Sequence, residues 1–214
     1  MKNLIVIGIA VAAVYYFVFN SSNGAFNEDG NPTTLVFTQN NCGTWCDKGV
    51  SDLERRKIPF AEMPLDNNKE NIARYKDLGG TALPFFVMGN KKYSGYNKYW
   101  VATTVAQAFG DKYLTVREKR NFRNHFYDDG SPLIYVYGAS WCPYCKKLRE
   151  ELTRRDIDYV EIDVEKTSNP QLLANTMGIN GYPLVYVGYV RVKGGADLVS
   201  NILDAVDIAE NRTL

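Results

Sequence analysis

The chain has 214 residues, 45% hydrophobic and 23% charged, with a formal net charge of +1. That is an ordinary globular composition, long enough for two small domains, and its balanced charge gives no sign of nucleic-acid or acidic partners. Four cysteines in two close pairs exclude a disulfide-dense scaffold and favour redox chemistry, and with a single histidine no metal site is expected.

Residues 4–19 form an uncharged, almost wholly apolar run after Met1-Lys2-Asn3. As a helix it would span roughly 24 Å, a little under a bilayer core of about 30 Å, which suits a signal peptide or a short anchor. Tyr15, Tyr16, Phe17 and Phe19 resemble an interfacial aromatic belt and favour an anchor, whereas Ser22-Asn23-Gly24 offers a small-x-small cleavage site. Residues 1–20 are therefore expected to be a hydrophobic helix, either membrane anchor or signal peptide. On this reading the membrane is a partner and the rest of the chain is exported, facing the periplasm or another extracytoplasmic side. Residues 21–32, rich in Asn, Ser and Gly, read as a flexible spacer.

A first domain is expected over 33–110. It opens with a strand at 33–38, continues through Cys42-Gly43-Thr44-Trp45-Cys46 into a helix reaching Leu53, and closes with a helix over 100–109. Residues 111–131 read as a polar connector. Its bases Lys112, Arg117, Lys119, Arg120, Arg123 and His125 are diluted by Glu118, Asp128 and Asp129, as on a solvated face or a packing strip. Asp129-Gly130-Ser131-Pro132 is a turn signal that starts a second domain over 132–214.

In that domain an apolar strand at 133–137 runs into Cys142-Pro143-Tyr144-Cys145 and then the amphipathic run Lys146 to Leu152. This spacing puts a dithiol at a helix start. There the unpaired N–H groups and the macrodipole favour an anion, so the Cys142 thiol should ionise readily and attack disulfides. Cys145, one turn on, can reach back to resolve the mixed disulfide, and Pro143 suits the first helical turn because it lacks a donor that would go unused.

The two halves are related. A shift of 99 residues without a gap superposes Cys46 on Cys145, Leu53 on Leu152, Pro84 on Pro183, Gly89 on Gly188 and Gly95 on Gly194, which reads as a duplicated domain. In this register Gly43 falls on Cys142 and the first cysteine lies one place back, at 42. A rival register sets Trp45-Cys46 on Trp141-Cys142, makes Cys46 the nucleophile and needs a three-residue deletion in the helix. Both remain open.

The segment Cys142-Pro143-Tyr144-Cys145 resembles the active site of dithiol glutaredoxins, and two further marks follow in the family's order: Gly181-Tyr182-Pro183 before an apolar strand, and Gly194-Gly195-Ala196-Asp197 before the last helix. The resemblance implies an α/β fold of two tandem thioredoxin-fold domains, each a central four-stranded mixed sheet flanked by helices. It implies that Pro183 is a cis-proline facing the nucleophile. Tyr144, Tyr182, Gly194, Gly195 and Asp197 would line a substrate or glutathione groove. One departure is the absence of a lysine in Tyr137-Gly138-Ala139-Ser140, just before the active-site loop, where many glutaredoxins carry one. The first copy has Gly95-Tyr96-Asn97-Lys98 in place of the second mark and should bind glutathione poorly. Its Cys42 and Cys46 read as a relay pair, a regulatory disulfide or a structural staple.

The expected function is a thiol-disulfide oxidoreductase acting on disulfide-containing or glutathionylated proteins, with no bound cofactor and glutathione as a possible cosubstrate. Cys142 and Cys145 are the catalytic pair, and Cys42 and Cys46 are candidates for a second. The alternative is an exported thioredoxin-fold binding or chaperone-like module with structural disulfides. A third reading has Cys142 and glutathione ligating an iron–sulfur cluster.

Overall fold

The computed structural model describes residues 24–210, which fall into two compact units divided between Tyr113 and Leu114. The run at 4–19, expected to be an anchor or signal helix, lies outside the described residues. Among the described residues no helix is long and apolar enough to cross a membrane.

The first unit runs β1 (Thr34–Thr38), a 3-10 turn (Asn40–Cys42), α1 (Thr44–Arg55), β2 (Ala61–Pro64), α2 (Lys69–Asp77), β3 (Phe85–Met88), β4 (Lys91–Ser94) and α3 (Lys98–Phe109). Its sheet has the order β2-β1-β3-β4, with β1 parallel to β2 and antiparallel to β3. Every residue of β1 is buried, as a central strand covered on both faces requires. Leu35, Phe37, Met63, Phe85 and Val87 pack with Leu78 and Ala25 into one core layer. The helices start where local chemistry tells them to: the side chains of Asn68 and Asn97 accept backbone N–H bonds at the starts of α2 and α3.

The second unit adds α4 (Val116–Arg123) before the same plan: β5 (Ile134–Gly138), α5 (Pro143–Arg154), β6 (Val160–Asp163), a 3-10 turn (Val164–Lys166), α6 (Pro170–Met177), β7 (Leu184–Val187), β8 (Val190–Arg191) and α7 (Leu198–Glu210). Its sheet order is β6-β5-β7-β8, again with one parallel and two antiparallel pairings. Ile134, Val136, Val185 and Val187 face Leu148 and Leu152 of α5 and Ile202, Ala205 and Ala209 of α7. Two four-stranded mixed sheets flanked by helices make this a tandem of thioredoxin-fold domains.

Three expectations need correction. Of the stretch expected to be a flexible spacer, the described part is folded. Ala25 is fully buried and bridges Gly89, and Phe26 bridges Pro32. The stretch expected to be a polar connector is likewise part of a domain. Thr115 and Glu118 close a capping box on α4, Phe122 and His125 are buried, and Phe126 bridges Pro132. The two turns share the pattern Phe-x-acid-Asp-Gly-x-Pro at 26–32 and 126–132, a repeat at a spacing of 100.

The third correction concerns the duplication. β1 and β5 correspond at a shift of 100, from Thr34 to Ile134, whereas α1 and α5, β2 and β6, and β3 and β7 correspond at 99. The gap-free register is therefore wrong at the front of each domain. Cys42 is the counterpart of Cys142, Cys46 of Cys145, and the first copy carries one extra residue between its cysteines.

Candidate functional site

Strand β5 delivers the chain to the site, and Gly138 ends it under the cysteines. A Cβ at Gly138 would lie 3.4 Å from Cys145 Sγ and displace the Glu161 carboxylate, so glycine lets this carboxylate close in on the strand end. Glu161 is held there by Arg149, whose Nη1 donates to both of its oxygens at 2.8 and 3.0 Å.

Cys142 is the N-cap residue of α5 and Pro143 its first helical residue. The Cys142 Sγ accepts the backbone N–H of Cys145 at 3.0 Å, which satisfies one of the orphan donors at the helix start. The two sulfurs are paired in a disulfide with Cα atoms 5.3 Å apart. Cys145 is fully buried and Cys142 is 3% exposed, both against Ala139 and the Tyr182 ring. Access to the dithiol is thus narrower than its place in a loop suggests.

The rim is aromatic and acidic. Trp141 and Tyr144 stand 67% and 73% exposed. The Trp141 indole N–H donates to Glu165 at 2.8 Å, and its ring meets Tyr182 edge-on at 6.1 Å. Asp163, at the end of β6, accepts the Ser140 N–H at 2.9 Å and pairs with Lys166 at 3.3 Å. Hydrogen bonding from Ser140, with the Lys166 charge, holds the Asp163 pKa down at about 2. Burial, with the nearby charges of Glu165 and Asp163, pushes the Tyr182 phenol up. Sequence reading missed Asp163, Glu165, Glu161 and Arg149. The available signal was position: carboxylates along and just beyond the strand that pairs in parallel with β5.

Of the residues named from sequence, Cys142, Cys145 and Tyr182 come together in one cluster. The Tyr182–Pro183 peptide bond is cis, as expected, and so is Leu83–Pro84 in the first copy. Tyr144 projects from the first turn of α5. Gly194, Gly195 and Asp197 form an exposed turn that leads into α7, with Gly195 at φ 137°. Among the described residues no group of three His, Cys, Asp or Glu side chains is placed to hold a metal ion.

The first copy differs where the extra residue falls. Cys42 sits in the 3-10 turn with its amide donating to Gln39 O at 2.9 Å, and Gly43, at φ 58°, is the N-cap of α1 with no side chain to cap it. Cys46 is buried in the first turn of α1, and its amide donates to Gly43 O at 3.1 Å. Cys42 and Cys46 are also disulfide-paired, with Cα atoms 5.7 Å apart. Beside them lies a cleft of about 470 Å³ lined by Cys46, Asp47, Ser51, Glu62 and Asp66.

Fold and site together define a thioredoxin-fold dithiol protein. The family model for glutaredoxin matches residues 134–192. A glutaredoxin of Pseudomonas aeruginosa is 33% identical over 70 residues, which cover 31% of this chain and 81% of that protein. Glutaredoxin 1 of Rickettsia bellii is 26% identical over 70 residues, 30% of this chain and 71% of its own length. A solved glutaredoxin of Populus tremula x tremuloides aligns with a TM-score of 0.34 at 17% identity, covering 45% of this chain and 98% of that one. The chain belongs to the glutaredoxin family, whose members are thiol-disulfide oxidoreductases.

Proposed function

We propose that the second domain reduces protein disulfides or glutathione mixed disulfides through Cys142 and Cys145. The observation that carries this reading is the bond from the Cys145 amide to Cys142 Sγ. A donor aimed at the sulfur, at the positive end of α5, stabilises the thiolate over the thiol once the pair is reduced.

The Cys142 thiolate attacks one sulfur of the substrate disulfide. A Cys142 mixed disulfide forms and the other substrate sulfur leaves as a thiolate. Cys145 then attacks Cys142 Sγ, releases the second substrate thiol and leaves the intramolecular disulfide of the structure. Tyr182 and Pro183, beside the cysteines, are proposed to present backbone to the bound substrate, with Gly194, Gly195 and Asp197 gripping the amino end of glutathione when it is the partner. The exposed Trp141 and Tyr144 rings offer apolar contact suited to a polypeptide. The proposal that these domains work on an extracytoplasmic side rests on the apolar run at 4–19 alone.

The test is turnover of a glutathionylated peptide by full-length chain. Cys142→Ser should abolish it, and Cys145→Ser should accumulate a mixed disulfide visible by mass. Unchanged turnover in Cys142→Ser overturns the proposal.

A further inference from the structure

We infer that Cys42 and Cys46 are a second redox centre, poised at a lower potential than Cys142 and Cys145, and that the first pair supplies electrons to the second. This rests on the reading of Cys142 and Cys145 as a working dithiol.

Three differences between the copies point the same way. The extra residue moves Cys42 off the helix start. Cys142 is the N-cap and its sulfur accepts an amide, whereas in the first copy the N-cap is Gly43 and the Cys46 amide is spent on Gly43 O. The charge next to the second cysteine is reversed, since Asp47 stands where α5 has Lys146. The carboxylate under the site is also differently held. Glu161 is paired with Arg149, while its counterpart Glu62 takes the Thr38 hydroxyl at 2.7 Å, and Val50 occupies the place of Arg149. Glu62 lines the cleft beside Cys46 together with Asp47 and Asp66.

A missing sulfur acceptor bond and an excess of negative charge both disfavour thiolates at Cys42 and Cys46. A dithiol whose thiolates are poorly stabilised is the stronger reductant, because the reduced form is the one destabilised. Cys42 is the more accessible sulfur of its pair, half-buried where Cys46 is buried. It is the sulfur placed to attack.

The exchange balances without a cofactor. The Cys42 thiolate attacks Cys142 Sγ, a Cys42–Cys142 disulfide forms, and Cys145 leaves as a thiolate. Cys46 then attacks Cys42 Sγ and expels the Cys142 thiolate. The first pair loses two electrons and two protons and becomes a disulfide, and the second pair gains them. An external dithiol reductant restores the first pair.

The test mixes two full-length variants. Pre-reduced Cys142→Ser/Cys145→Ser carries only the first pair, and oxidised Cys42→Ser/Cys46→Ser only the second. Free thiols are counted by maleimide mass tagging after acid quench. At equilibrium the product side, first pair oxidised and second reduced, should lead by tenfold or more, equivalent to about 30 mV for a two-electron couple. A ratio at or below one overturns the inference, as does absence of exchange while dithiothreitol reduces both pairs. Deletion of Thr44, which restores a two-residue spacing, and Asp47→Lys should each move the ratio toward one. If neither moves it, the inserted residue and the reversed charge do not set the potential, and the inference falls with them. Turnover of glutathionylated peptide by Cys42→Ser/Cys46→Ser with glutathione as reductant tests the Cys142 reading separately, so the two failures are distinct.

Discussion

The amide of Cys145 donates to the sulfur of Cys142 at 3.0 Å, whereas the amide of its counterpart Cys46 donates to the carbonyl of Gly43. One inserted residue separates a capped sulfur from an uncapped one. The rate of iodoacetamide alkylation against pH reads out the consequence. In the reduced Cys42→Ser/Cys46→Ser chain the midpoint for Cys142 should lie below a free thiol's value of about 8.5. A midpoint at or above that value would show that the helix start does not stabilise the thiolate.

His125 makes the fold of the second domain acid-sensitive. It is fully buried; its Nδ1 donates to Gly188 O at 3.0 Å, which leaves Nε2 to accept the Tyr137 hydroxyl at 2.8 Å. That tautomer is neutral, and burial lowers the pKa from 6.5 to about 4. An unfolded chain protonates this histidine below about 6.5 while the folded one does not. Stability is therefore complete above that pH and lost as pH falls toward 4. Between pH 7 and 5 the loss should be about 2 kcal/mol by urea denaturation. His125→Gln should be less stable at pH 7 yet lose this slope; an unchanged slope would assign it to carboxylates elsewhere.

Gly138 lies directly against the Glu161 carboxylate. In Gly138→Ala the new methyl would meet the Glu161 carboxyl carbon at 3.2 Å and Cys145 Sγ at 3.4 Å. The expected cost is about 1–2 kcal/mol. In a Glu161→Ala background the same change should cost less, with a coupling of at least about 0.5 kcal/mol in the double-mutant cycle. Simple additivity would mean that the obstruction is not Glu161.

In the first domain Asp52 of α1 is 2% exposed and bonds Arg56 Nε at 3.3 Å, while Arg56 Nη1 donates to Tyr113 O at 3.2 Å. Asp52→Asn would remove a buried counter-charge from the Arg56 guanidinium, and unfolding in urea should show a loss of about 3 kcal/mol. Its counterpart in the second domain, Glu151, is partly exposed beside Arg154 and Arg155. Glu151→Gln should stay within about 0.5 kcal/mol of wild type. Equal losses at the two positions would contradict the difference in burial.

Read alone, the chain already marks its elements and its chemistry. Short continuous apolar runs outline β1 and β5, helical apolar periods outline α1 and α5, a dithiol after a strand announces the thiol site, and recurring cysteines, prolines and glycines expose the duplication. The element and dithiol signals are local, carried by a few adjacent residues, and the duplication is a recurrence of residue types along the chain.

The remainder emerges in the assembled fold, because it depends on which distant residues share a neighbour. A one-residue offset inside a turn leaves the periods on both sides intact, so the correspondence of Cys42 with Cys142 is decided when the strands are laid against their sheets. The turn at 26–32 reads as a solvated spacer until Ala25 bridges Gly89. His125 reads as a surface base until Tyr137 and Gly188 satisfy both its nitrogens in the core. Burial with satisfied hydrogen bonds is a property of the assembled fold, and no stretch of sequence carries it alone.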